Sequence, residues 1–498
     1  MLSFRYMCVK CLAGIILLLV SGQVAAQSLQ EAIAAAQDYY NRTLQQAEDF
    51  IREADKAYAE YMKNPWKKVV PEDSRKSPFE EYPSINPEIF SPGRKVSELV
   101  DMEYDFTQVG GLYSQSGRFE ELGFEEDTDA VMDVVPVRFN GFQIAMRFPA
   151  DGKIRIGSTT EAELSAAWER MSGMPYGVVL NDILKIGRRL NLCDWSLVRL
   201  VKIFMDAVYR EDARNESVIT QVYFLHRLGF RVALAYDPEG RLYRLVSTDA
   251  RVRGARDYYN DGIPYSLIGE AETHDLSLFF YDGYGDNPVC LTANLDEIFY
   301  PEYADEIHFE SASYPELSFS VQVDLSLKSY YEDYPSYYTD DNPMTEFYYR
   351  ASLPMARYIQ ESVYPVLESA VEGKTEVEAV NILLDFVQTA FAYEMDEDRW
   401  NQERFFFPGE IWYHDVSDCD DKAMLFARLV QDVLDMKVAL VFWPGHLSCA
   451  INIPEAVAGY VFDVFGEKYV SCDPTWKDAR AGDVMEVFKD VKASLILL

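Results

Sequence analysis

The chain has 498 residues, with 46 basic against 82 acidic side chains and a formal net charge of −36 at pH 7. A surface of that sign repels nucleic-acid phosphates and anionic lipid, which excludes both as expected partners. The 34 tyrosines and 29 phenylalanines offer apolar area for more than one core, and the length fits two to three domains.

Residues 1–26 read as an export leader. Arg5 and Lys10 precede an apolar run from Leu12 to Val20, and the small residues Val24, Ala25 and Ala26 precede Gln27. The run is too short to span a bilayer, and no other stretch reaches the roughly 20 apolar residues a transmembrane helix needs. The expected protein is therefore periplasmic or secreted, with no membrane insertion after leader removal. Cys193, Cys290, Cys419, Cys449 and Cys472 would remain. They are too few for a disulfide framework, and their odd number leaves at least one free thiol.

Over residues 27–66, Leu29, Ile33, Ala36, Tyr40, Leu44, Ala47, Ile51, Ala54, Tyr58 and Met62 recur at helical spacing. The periodicity predicts a long amphipathic helix lying against the body of the protein, with a protein partner as the other possible occupant of its face. Pro71, Pro78, Pro83, Pro87 and Pro92 mark a linker over 67–130. Residues 131–310 then predict a strand hairpin across 135–156, helices from Glu161 to about Leu228, and the strands GFRVALAY and GRLYRLV around a DPEG turn. Over 311–345, ELSFSVQVDLSL alternates as a strand, and SYYEDYPSYYTDDNP reads as an exposed, acidic, tyrosine-rich connection.

Residues 346–498 carry the chemistry. Cys419 stands in SDCDDKAMLFARLV, His446 in VALVFWPGHLSCAI and Asp473 in YVSCDPTW. The periodicity from Ala423 to Val433 places Cys419 in the first turn of a helix, capped by Ser417 or Asp418. A thiolate there would be stabilised by the helix N-terminus and so have a lowered pKa. His446 would take the thiol proton while Asp473 fixes the tautomer of the ring. Asp418, Asp420 and Asp421 would oppose the thiolate if they pointed inward, and are expected to face solvent or cap backbone amides. The Cys419 N–H is the natural oxyanion donor. Gln402, Trp400 and Trp412 are candidates for the second, with Gln402 preferred.

These motifs resemble the transglutaminase-like superfamily, and within it a group of exported Bacteroidetes proteins of similar layout. The resemblance is strongest from about Val377 to Gly482, where DCDDKA, WPGH and CDPTW match the cysteine, histidine and aspartate motifs. It implies an α+β fold with a C-terminal papain-like domain and catalytic roles for Cys419, His446 and Asp473. The superfamily includes crosslinking enzymes, peptidases, amidases and inactive members, so it implies fold more sharply than substrate.

An internal echo accompanies it. Residues 197–246 and 380–452 both run helix, acidic loop, helix, strand, turn, strand. Aligned on their strands, Ala213 falls opposite Cys419 and Gly240 opposite His446, or Arg241 if one gap is allowed. The middle segment thus reads as a degenerate transglutaminase-like repeat without the triad.

The expected activity is thiol-dependent acyl transfer on protein or peptide amides, with hydrolysis first and transamidation second. A non-catalytic exported binding or scaffold protein is the competing class. No metal or organic cofactor is expected. Cys419, His446, Cys449 and Cys472 have zinc-binding chemistry, but His446 and Cys449 lie at odd spacing and point to opposite faces of a strand. MDEDRWNQE lacks the glycine of a calcium loop. Cys449 and Cys472, near-diagonal on adjacent strands, would either pack as small apolar residues or form a disulfide.

Overall fold

The structure is a computed structural model. It describes residues 52–64, 66–69, 99–106 and 129–498, apart from short breaks at 270–274, 281–286, 295, 339–343, 401–402 and 456, with isolated positions elsewhere. The expected leader, most of the expected N-terminal helix before residue 52, and Gln402 lie outside the described residues. The fold is mixed α/β. Among the described residues no helix is long and apolar enough to cross a membrane.

In the first half, an antiparallel six-stranded sheet runs in the order Lys67–Val69, Leu276–Phe279, Val232–Tyr236, Leu242–Val246, Ile263–Leu267 and Arg256–Asn260. Helices Asp194–Tyr209 and Arg214–Arg227 pack together beside it. Residues 52–62 are helical and dock on this body: Tyr58 stacks on Trp168 at 4.1 Å, and the Asp55 carboxylate is paired with Arg227 at 3.1 Å. The described end of the N-terminal helix is therefore packed, with Tyr58, Ala59 and Met62 all buried. The expected hairpin is present as Met132–Phe139 paired with Phe142–Pro149.

The second half is built on a sheet in the order Leu99–Asp101, Gly459–Val464, Glu467–Cys472, His446–Asn452, Val438–Trp443, Ala493–Leu497 and Tyr104–Phe106. The two outermost strands are separated by only Met102 and Glu103, so the single segment 99–106 borders both edges of a curled sheet. Met102 N–H bonds Val461 O at 2.8 Å on one edge, and Ala493 N–H bonds Glu103 O at 3.1 Å on the other. Covering both edges removes rows of unpaired backbone groups. The segment 67–130, read as a linker, thus supplies edge strands to both large sheets.

Helix Glu376–Ala390 starts at a Thr375/Glu378 capping box and packs on helix Cys419–Leu434, which lies over strands Val438–Trp443 and His446–Asn452. The tyrosine-rich connection is corrected by the structure. Leu325–Asp333 is helical, and Tyr330, Tyr334, Tyr337 and Tyr338 are buried. Ring area outweighed the acidic composition that suggested exposure. Likewise the alternating strand ends at Asp324, whose carboxylate accepts from the Ser326 N–H and starts that helix. A buried Glu346 to Arg350 bridge at 2.9 Å, with Arg253 at 3.6 Å from Glu346, joins the two halves.

Candidate functional site

Asp418, in extended backbone, accepts the Asp420 N–H at 3.2 Å, while the Asp421 carboxylate reaches back to the Asp418 N–H at 3.3 Å. This reciprocal cap fixes Cys419 as the first helical residue, only 8 % exposed. Its thiol points to Asp420 Oδ1 at 4.0 Å, and the Leu447 backbone N–H, next after His446, lies near enough to the sulfur to favour a thiolate. Thiol and imidazole are therefore brought to the same strand end by a helix start and a hairpin turn.

The turn is Trp443-Pro444-Gly445-His446. Pro444 presets its own φ and Gly445 takes φ +76°, as a type II turn requires, so His446 pairs with Trp443 and opens the returning strand. His446 Nε2 lies 2.9 Å from Asp473 Oδ2, and its Nδ1 is buried without a hydrogen-bond partner. Phe488 stacks on the imidazole at 5.5 Å and on Trp443 at 5.0 Å, closing that face of the ring.

Asp473 follows strand Glu467–Cys472 and turns back on itself. Its Oδ1 accepts Thr475 N–H at 3.0 Å, Thr475 O–H at 2.6 Å and Trp476 N–H at 3.2 Å. Burial acts to raise its pKa, but the His446 imidazole and the Thr475 donors outweigh it and hold the carboxyl below its usual range. Gln388 reinforces the turn by donating to Asp473 O at 2.8 Å and Ala479 O at 3.1 Å. The Gln388 carbonyl, with Phe391 O, receives the buried Lys422 ammonium.

The thiol departs from the expected lowered pKa. Burial first, then the Asp418 carboxylate, push Cys419 well above its ordinary range, against the Leu447 N–H. The first turn explains this, because Asp418, Asp420 and Asp421 are all buried rather than solvent-facing. Asp418 and Asp421 do cap backbone amides, and Asp421 also accepts the Phe406 N–H at 2.8 Å. Asp420 keeps one carboxylate oxygen unpartnered. Burial and then Asp418 and Asp421 push Asp396 up to about 11. Cys419 thus rests as a neutral thiol, and any thiolate must form as its proton leaves to a base.

The expected second oxyanion donors fare differently. Trp412 donates its indole N–H to the Met355 sulfur at 3.1 Å and is committed to the core. Trp400 packs against Phe406 and His414. Sequence reasoning missed Tyr393, which pairs with Ser417 in a short parallel bridge. Burial, then Cys419, Asp418, Asp420 and Asp473, raise its phenol, which places it among the site residues. The pairing of FAYE with the residues before the cysteine is long-range and left no local signal.

Cys449 and Cys472 are direct partners across the sheet rather than diagonal neighbours, and both are free thiols. The Cys449 thiol donates to Ala423 O at 3.2 Å, under the helix and away from the His446 ring. Among the described residues, the donor groups within 4.8 Å of one another that could hold a cation are Asp396 with Asp418 and Asp421, and Asp418 with Cys419 and Asp420.

In the first half, Ala213 stands immediately before helix Arg214–Arg227, and Arg241 is ion-paired to Asp237 at 2.6 Å. No thiol or imidazole occupies those positions. The chain matches no known family model, no curated protein and no solved structure.

Proposed function

We propose that the protein is an exported, transglutaminase-like thiol acyltransferase acting on protein or peptide amides, with hydrolysis as its main outcome. The observation that carries this reading is His446: one ring nitrogen is held by Asp473, the other is buried with no partner, and the next residue, Leu447, has a backbone N–H that favours the Cys419 thiolate. A general base needs that arrangement, one nitrogen oriented and one able to accept.

In the proposed reaction, His446 Nδ1 takes the Cys419 proton as the sulfur attacks the amide carbonyl carbon. The new imidazolium is stabilised by Asp473, and the tetrahedral oxyanion forms at the positive end of the cysteine helix. His446 then returns the proton to the leaving amine, giving a thioester. Water, deprotonated by the same imidazole, releases the acid and regenerates the thiol. A primary amine in place of water would give transamidation. The first half, with a helix and hairpin in the same order but no triad, reads as a degenerate repeat of the same unit.

The second reading, a non-catalytic scaffold, draws on the burial of the site. Cys419, His446 and Asp473 are each at most 8 % exposed, and none of them lines the cavity around Tyr330 and Tyr358 or the one around Asn381 and Arg480. The deciding experiment incubates the protein with peptide mixtures and a primary amine, then reads hydrolysed and amine-linked products by mass spectrometry. Products formed by the wild type and lost in Cys419→Ala support the acyltransferase. Absence of either product, with the fold intact, favours the scaffold.

A further inference from the structure

A cavity of about 510 Å³ lies where the two halves meet, away from the triad. Its volume falls in the range of ligand sites. The charged groups on its wall are already committed. Glu361 is ion-paired to Arg357 at 2.7 Å. Asp324 accepts the Ser326 N–H and starts a helix. Burial pushes Glu297 toward its neutral form, where it is hydrogen-bonded to Asn140, Ser196 and the Cys193 N–H. The wall therefore leaves no free charge for a guest, and a charged guest would lose its hydration uncompensated.

What the wall offers instead is aromatic area. Phe299, Tyr303, Tyr331, Tyr358 and Phe407 line it. Tyr331 stacks on Phe407 at 5.0 Å, and Tyr303 meets Tyr358 edge-on at 5.3 Å. A neutral ring entering such a space gains buried apolar area and edge-to-face contacts. Gly409, also on the wall, has no left-handed backbone to explain a glycine. Its missing side chain serves space, because a Cβ there would stand 2.8 Å from the Tyr331 hydroxyl.

The mouth is apolar as well. Ile298, Tyr300, Tyr303 and Leu325 are each between 41 and 60 % exposed. Tyr303 lines the cavity itself, and the other three adjoin the lining residues Phe299, Pro301 and Asp324 along the chain. The Leu325 N–H bonds Glu302 O at 2.8 Å, which sets Leu325 beside the 298–303 stretch. Exposed apolar side chains gathered around a cavity mark a binding surface. A small molecule held inside would leave them uncovered, whereas a chain segment with one aromatic residue covers both, as a buried anchor with surrounding contacts.

We propose that this cavity is the anchor site for an uncharged aromatic side chain of a polypeptide, its ring among the tyrosines and its apolar neighbours on the exposed rim. The proposal does not rest on thiol chemistry and holds equally for Cys419→Ala.

The test is isothermal titration of the full chain with acetyl-Ser-Leu-Phe-Leu-Ser-amide, with the same peptide carrying a central alanine or lysine, and with N-acetylphenylalanine amide. Repeating it in Cys419→Ala removes any heat of turnover. The phenylalanine peptide is expected to bind at least about tenfold more tightly than the alanine peptide and than N-acetylphenylalanine amide, a difference of about 1.4 kcal/mol in each case. The lysine peptide should bind no more tightly than the alanine one. Gly409→Leu, which fills the cavity, should weaken the phenylalanine peptide about tenfold. So should Tyr303→Ser combined with Leu325→Ser, an exposed pair whose loss leaves the core intact; circular dichroism checks both proteins. Equal affinity for the phenylalanine and alanine peptides, no heat from any of them, or full affinity in the rim variant would overturn the proposal. N-acetylphenylalanine amide binding as tightly as the peptide would also overturn it, in favour of a free aromatic molecule.

Discussion

Asp473 offers its two oxygens to different partners: Oδ2 to His446 Nε2 at 2.9 Å, and Oδ1 to the two amides and one hydroxyl of Thr475 and Trp476. Asp473→Asn has a defined consequence. The amide oxygen must stay with the three donors, which turns the NH₂ group toward His446. Nε2 must then accept, the ring proton moves to Nδ1, and the base is lost. Activity is expected to fall by roughly 10²–10⁴-fold while the protein remains folded. Steady-state kinetics beside a thermal melt would check it; unchanged turnover would show that the tautomer does not matter.

Phe488 covers the imidazole and joins it to Trp443. Phe488→Ala removes a buried ring at a cost of about 3–5 kcal/mol and opens the site to solvent. Denaturant titration should show the loss of stability, and reagents should reach Cys419 faster than in the wild type.

The acidic first turn makes a pH prediction. Asp396, Asp420 and Asp421 have folded pKa values raised above their unfolded values, chiefly by burial. Their contribution to stability is complete below about pH 4 and is lost as pH rises. Asp473 has a lowered folded pKa, so its contribution is present above about pH 4 and lost at lower pH. Stability should therefore be higher at pH 5 than at pH 8. Asp420→Asn should stabilise the protein at pH 8, on the order of 1 kcal/mol, and do little at pH 5. Melts at the two pH values measure this, and an equal effect at both would contradict the assignment.

Cys449 and Cys472 face each other across the sheet as free thiols. Alkylation in denaturant without reductant should label all five of Cys193, Cys290, Cys419, Cys449 and Cys472. Recovery of a Cys449 to Cys472 crosslinked peptide would show that the native pair is oxidised.

Much of this site was legible because its signals are local. A capping aspartate before Cys419, a Pro-Gly turn before His446 and an aspartate that closes a turn with Thr475 are each written within a few residues. Parity along a strand correctly separated His446 from Cys449. What stayed hidden depends on distant segments. Residues 99–106 border both edges of the second sheet although they lie more than 300 residues from it in sequence. Tyr393 is set beside Ser417, two residues before the thiol, by a two-residue bridge, and Phe488 reaches the imidazole from near the C-terminus. The buried state of Asp420 and Asp421 was likewise unreadable, since first-turn aspartates look alike whether their helix start faces solvent or protein.

The most direct test of the central claim is the alkylation rate of Cys419 by iodoacetamide across pH, read by mass spectrometry in the wild type, His446→Ala and Asp473→Asn, with the other four thiols as internal controls. If His446 accepts the thiol proton, Cys419 should react at pH 7 at least about tenfold faster in the wild type than in either variant, with the controls unchanged. A Cys419 rate that is the same in all three proteins would contradict the acyl-transfer reading and leave the buried thiol as part of the core.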